Sequence, residues 1–86
     1  MGKYEKVLRL ILSGQSDSNI KFEDLRNLLK NLDFSERIKS SHHIYYRRGV
    51  VEIINLQAKA GKAKPYQVKQ VRNLIIKYDL KFSDER

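Results

Sequence analysis

Both histidines of this 86-residue chain stand side by side, in the run Ser40-Ser41-His42-His43-Ile44-Tyr45-Tyr46-Arg47-Arg48. Histidine is the side chain whose ordinary pKa lies nearest neutrality, so it can take or give a proton under cellular conditions. The run has the aromatic and β-branched content of a strand, and on a strand alternate residues share a face. His43, Tyr45 and Arg47 then point one way, and His42, Ile44, Tyr46 and Arg48 the other. Ile44 and Tyr46 suit a side covered by helices, which puts His43 on the open face with Tyr45 and Arg47 as neighbours. Imidazole, guanidinium and an aromatic ring together suit the cutting of RNA. The imidazole accepts the proton of a 2′-hydroxyl, the guanidinium stabilises charge building on the phosphate, and the ring stacks on an unpaired base. No metal or other cofactor is required, because the nucleophile is already in the substrate. By the same alternation His42 reads as structural or peripheral.

Positive charge gathers around this run. Residues 1–36 hold six Lys and Arg against six Asp and Glu, whereas residues 37–78 hold ten against Glu52 alone. The whole excess of +8 therefore lies in the part that carries the histidines. A localised basic field concentrates an anionic partner, and for a small basic protein nucleic acid is the first candidate. Within the field, Lys62, Lys64, Lys69 and Arg72 cluster about the start of a helix, where backbone N–H groups also attract phosphate. Lys62, Lys64 and Arg72 are accordingly expected to hold the phosphate backbone with Arg47. The chain has no cysteine, which excludes disulfides and thiolate metal sites and fits a reducing cytoplasm. It has no apolar run near the roughly 20 residues needed to cross a bilayer, and no secretion-signal pattern at its start. A cytoplasmic, metal-free, single domain without a membrane contact is the expectation.

The elements that must position these residues are legible from periodicity. Tyr4, Val7, Leu8, Ile11 and Leu12 recur at helical spacing over about residues 3–13, with Gly14 as the stop. Phe22, Leu25, Leu28, Leu29 and Leu32 form the stripe of a second helix, opened by Glu23 and Asp24 where carboxylates suit the helix dipole. Phe34–Lys39 reads as a first strand, although Phe34, Glu36 and Ile38 alternate imperfectly. His42–Arg48 is the second strand and Val50–Leu56 the third, joined at Gly49 by a turn short enough for an antiparallel hairpin. Residues 58–64 read as a flexible basic loop. Pro65 opens a last helix with its stripe at Val68, Val71, Leu74, Ile75 and Tyr78. Residues 83–86 read as a frayed tail. The order α-α-β-β-β-α predicts an α+β domain over residues 1–82, a three-stranded antiparallel sheet with helices on one face.

This pattern resembles the HicA family of bacterial toxins. The resemblance spans roughly residues 20–80 and rests on Phe22-Glu23-Asp24-Leu25-Arg26-Asn27-Leu28-Leu29, on Ser41-His42-His43-Ile44-Tyr45, and on Gly61-Lys62-Ala63-Lys64-Pro65 before a helix ending in Tyr78-Asp79-Leu80. It implies a fold like the double-stranded-RNA-binding domain and a ribosome-independent mRNA endoribonuclease belonging to a type II toxin–antitoxin system. It implies His43 as the general base, Ser41 beside it at the substrate, and a HicB-like antitoxin that covers the active face. Three positions depart from the family pattern: Ser40, Asp33 and Asp79 stand where the family commonly has glycine. Asp33 and Asp79 are tolerable, since aspartate enters left-handed backbone more readily than most residues. Ser40 is expected to narrow access to the catalytic strand. The helix over residues 3–13 is an addition to the minimal pattern.

Two other classes compete with a nuclease. A non-catalytic RNA-binding module of the same fold would grip duplex RNA by shape and backbone contacts and would need no histidine. A small DNA-binding regulator is disfavoured by the three predicted strands and the lack of a tight helix-turn-helix.

Overall fold

The computed structural model of the chain describes residues 2–82, and the predicted tail at 83–86 lies outside the described residues. The element order is α1 (Lys3–Ser13), a single 3-10 turn (Asp17–Asn19), α2 (Phe22–Asn31), β1 (Ser35–Lys39), β2 (His42–Arg47), β3 (Val50–Leu56) and α3 (Pro65–Tyr78). The sheet is antiparallel in the order β1-β2-β3. The chain is thus an α+β domain with three helices and a three-stranded antiparallel sheet.

All three helices pack against one sheet face. Val7 and Ile11 of α1, Leu25, Leu28 and Leu29 of α2, and Val68, Val71, Leu74 and Ile75 of α3 close over Tyr45, Ile54 and Leu56 of the sheet. Each helix stops for a local reason. Gly14 takes φ +71° after α1 and donates its N–H to the Ile11 carbonyl. After α2, Asp33 takes φ +71° and Phe34 N–H reaches back to the Leu29 carbonyl at 3.0 Å. After α3, Asp79 takes φ +51° and Leu80 N–H reaches the Ile75 carbonyl at 3.0 Å. Both are Schellman closures, which need a left-handed residue just past the helix. Glycine usually fills that place; here two aspartates do, as expected from their short polar side chains.

The sheet's other face is open. Antiparallel partners directly across from one another share a face, so Arg37 with Ile44, Lys39 with His42, and Ile44 with Asn55 lie together on it. Tyr46, Val51 and Ile53 belong to the same face, and Val51 is 87% exposed. Between the pairs Tyr45–Ile54 and Arg47–Val50, one residue of β2 opposes three of β3, a bulge that twists the far end of the hairpin.

Residues 58–64 differ from the flexible loop expected. Lys59 and Lys62 exchange both backbone hydrogen bonds, at 2.9 and 3.0 Å, across Ala60 and Gly61 at φ +52° and +78°. Two successive left-handed residues make the primed turn that suits a two-residue hairpin. This small hairpin is tied to the start of α2, since Phe22 N–H donates to the Gly61 carbonyl and Ala63 N–H to the Ile20 carbonyl. Ala63 itself is buried. The basic loop is a fixed element.

Candidate active site

The alternation read from β2 holds, but its faces are reversed. Tyr45 is fully buried against the helices, while His42 and Tyr46 are exposed. The decision comes from β1, where Glu36 pairs across from Tyr45 and points the same way. Arg26 of α2 reaches down to Glu36 with two parallel hydrogen bonds, Nε to Oε2 at 2.7 Å and Nη2 to Oε1 at 2.8 Å. The Tyr45 hydroxyl donates to the same carboxylate at 2.6 Å, and Lys30 Nζ lies 3.5 Å away. The Arg26 guanidinium holds the Glu36 carboxyl well below the usual carboxylate range, against the opposing effect of burial. Burial, with Glu36 beside it, pushes the Tyr45 phenol well above its ordinary value. A polar cluster fully satisfied in this way fixes which face of β2 goes inward.

His43 belongs to that cluster. Its Nδ1 lies 3.3 Å from Glu36 Oε2, its ring meets Phe22 edge-on with centroids 4.9 Å apart, and 17% of its side chain is exposed. It is held between α2 and the sheet, not displayed on the open face. Tyr45 offers no ring face to a base, so the expected stacking role is corrected to a core role. Arg47 also lies half-buried on the helix side, four residues along the strand from His43, and its Nη1 has no hydrogen-bond partner in the protein. Arg72 is likewise corrected. Its Nη1 donates to Asp17 at 2.9 and 3.1 Å and to the Ile11 carbonyl at 3.2 Å, which ties α3 to α1 and the 3-10 turn. It stands at the opposite role from a phosphate ligand, a partly buried brace between helices.

His42 is the histidine that reaches solvent. Its Nδ1 lies 3.1 Å from Asn55 Oδ1, a diagonal contact on the open face, since Asn55 of β3 pairs with Ile44. With Oδ1 as the acceptor, it is the Nδ1-protonated tautomer of the neutral ring that makes this bond, and that tautomer leaves Nε2 as the basic nitrogen. Ser41 is exposed in the β1–β2 turn, where its Oγ accepts from Gln57 Nε2 at 2.9 Å. Of the predicted neighbours of the base, Ser41 precedes His42 in the chain and Lys64 lines a hollow next to one that His42 lines, whereas Tyr45, Arg47 and Arg72 line none of these hollows.

Two hollows meet at His42, and a third adjoins one of them. One, of about 280 Å³, is lined by Lys39, Ser40, His42, Ile44 and Asn55. The next, of about 270 Å³, shares His42 and Asn55 and adds Gln57, Tyr66 and Gln67. The third, of about 540 Å³, shares Gln57 and Tyr66 and adds Ala58, Lys59, Lys64 and Pro65. Consecutive hollows share walls, and the row of three, a groove in this sense, has Lys39 at one end, Lys59 and Lys64 at the other, and no carboxylate in its lining. Lys62 lies apart from the lining, with Nζ bonded to Asn19 Oδ1 at 3.1 Å. Tyr66 and Asn55 were not singled out by sequence reasoning. The position of Tyr66 next to Pro65, beyond the apolar stripe of α3, is the signal that could have found it.

Fold and site together define a small basic α+β domain whose solvent-facing histidine lies in a cationic groove. Comparison with protein-family models, curated proteins and solved structures gives no match.

Proposed function

We propose that the protein is an endoribonuclease acting on single-stranded mRNA, with His42 as the general base, and that it is a toxin of the HicA type neutralised by a HicB-like antitoxin. The observation that carries this reading is the groove: an exposed imidazole with its Nδ1 anchored on Asn55, its Nε2 left as acceptor, and lysines to either side. Nε2 takes the 2′-hydroxyl proton, the freed oxygen attacks the adjacent phosphorus, and the 5′-oxygen of the next nucleotide leaves with a proton drawn from solvent. Lys39, Lys59 and Lys64 offset the phosphate charge. No step requires a group outside protein, RNA and water. The fold reading, like the double-stranded-RNA-binding domain, is supported by the three-stranded antiparallel sheet with helices on one face. The antitoxin reading is supported by the adjoining open sheet face, where exposed Tyr46, Val51 and Ile53 share a face with Arg37 and Lys39, a surface suited to an acidic protein that would also cover the groove.

The test compares the two histidines in purified protein incubated with single-stranded RNA. His42→Ala should slow cleavage by about 100-fold or more, the usual scale of a lost general base. His43→Ala, which removes a packed ring beside Glu36, should lower stability by about 1–3 kcal/mol and leave the folded protein's cleavage rate within about tenfold. Cleavage at the wild-type rate by His42→Ala overturns the assignment of the base. A wild-type protein that binds RNA in a salt-sensitive way without cutting it favours the non-catalytic module.

A further inference from the structure

Single-stranded RNA recognition depends on aromatic platforms, because every base has a face to stack while only unpaired bases can be splayed onto a ring. The expected platform, Tyr45, is in the core. Among the described residues that line the groove there is one aromatic ring besides the imidazole, and it is Tyr66, 65% exposed at the start of α3.

We infer that Tyr66 is the base-stacking platform of the groove, taking the unpaired base of the nucleotide next to the cleaved phosphate while Lys59 and Lys64 take the phosphate beyond it. The inference rests on the proposed RNA reading of the groove and adds its specificity-determining residue. Tyr66 is common to the hollow that holds His42 and to the larger one that holds Lys59 and Lys64, so it stands where the two subsites join. Its surroundings are rigid. Pro65 precedes it with a fixed backbone, and Lys64 N–H donates to Gln67 Oε1 at 3.1 Å, closing the first turn of α3. Gln67 is almost wholly buried, which anchors the residue that follows Tyr66. On the far side, the hairpin through Ala60 and Gly61 fixes Lys59 by two backbone hydrogen bonds. A large exposed ring at a rigid helix start, lining the same hollow as two lysines and no carboxylate, offers a base face beside a phosphate site. A paired base in a duplex cannot reach such a ring without being unpaired, so the groove selects single strands.

The experiment uses a short fluorescein-labelled RNA of mixed sequence with every 2′-hydroxyl methylated, which prevents cleavage and isolates binding. Anisotropy titration with the full chain should show binding to the single strand and at least tenfold weaker binding to the same strand annealed to its complement. Tyr66→Ala should weaken single-strand binding by between about 5-fold and 150-fold, the range for losing one stacked base. Tyr66→Phe should retain wild-type affinity, because the ring and not the hydroxyl does the stacking. If the wild-type protein does not bind the single strand, the RNA reading of the groove fails. If it binds and Tyr66→Ala binds equally well, or if duplex binds as tightly, the RNA reading stands and the platform is overturned.

Discussion

Glu36 accepts hydrogen bonds from Arg26 and Tyr45 and faces His43 with only 7% of its side chain exposed, so its charge is a condition of the inner face of the sheet. The Arg26 fork lowers its folded-state pKa far below the ordinary 4.5. A carboxylate lowered on folding contributes stability that is complete above its unfolded pKa and is lost as pH falls below it, since the unfolded chain binds the proton first. Urea unfolding should therefore show wild-type stability declining from about pH 5 to about pH 3. Glu36→Gln should be less stable near neutrality by about 1–3 kcal/mol, because it removes the charge that the Arg26 fork grips on the inner face and leaves the guanidinium only the exposed Glu23, 3.0 Å from its Nη1. It should also decline less between those two pH values. An equal decline in both proteins would remove Glu36 from the acid response. The outer ion pair, Glu52 with Lys77 and Tyr78, also lowers a carboxylate, to about 2, but it lies in solvent and contributes little.

At the scale of elements, the sequence carried the helices and strands nearly to the residue, because apolar spacing of 3.6 or 2 records which side each element buries. The same periodicity is silent on which of two alternating sets goes inward when both contain aromatic residues. In β2 the choice lay between His43 with Tyr45 and Ile44 with Tyr46, and hydrophobicity favoured the wrong pair. The correct face was set by Glu36 and Arg26, residues 7 to 17 positions away from His43. The imperfect alternation of Phe34, Glu36 and Ile38 was its trace in the sequence: a charge in the inward set implies a buried partner. The β1–β2 hairpin records the remaining departure. Ser40 takes φ +58°, a conformation that costs a side chain about 1–2 kcal/mol and glycine much less. Ser40→Gly should raise stability by about 0.5–1 kcal/mol, the backbone relief exceeding the added freedom of the unfolded chain. Since Ser40 also lines the hollow that contains His42, the same change should speed cleavage. Thermal unfolding and RNA cleavage measured on the one variant check both effects, and a fall in melting temperature would count against a strained Ser40.

At the scale of the molecule, a net charge of +8 admits two modes of RNA binding that differ in their response to salt. A chain that holds RNA through its whole field neutralises many phosphates, so its affinity falls steeply as salt rises. A chain that holds a single strand in the groove neutralises about three, through Lys39, Lys59 and Lys64. For single strands the slope of log K against log salt is about −0.7 per neutralised phosphate, which gives about −2 here and a loss of about 20-fold between 50 and 200 mM salt. Lys64→Ala should flatten the slope by about 0.7, whereas Lys69→Ala, exposed on α3 outside the groove lining, should leave it unchanged. Arg72→Ala should also leave the slope unchanged while lowering stability, because its guanidinium is engaged by Asp17 and the Ile11 carbonyl. Anisotropy titrations of the methylated single strand over that salt range measure all four slopes. A wild-type slope near −6, shared equally by the lysine variants, would mean that the field as a whole binds the RNA and that the groove does not direct it.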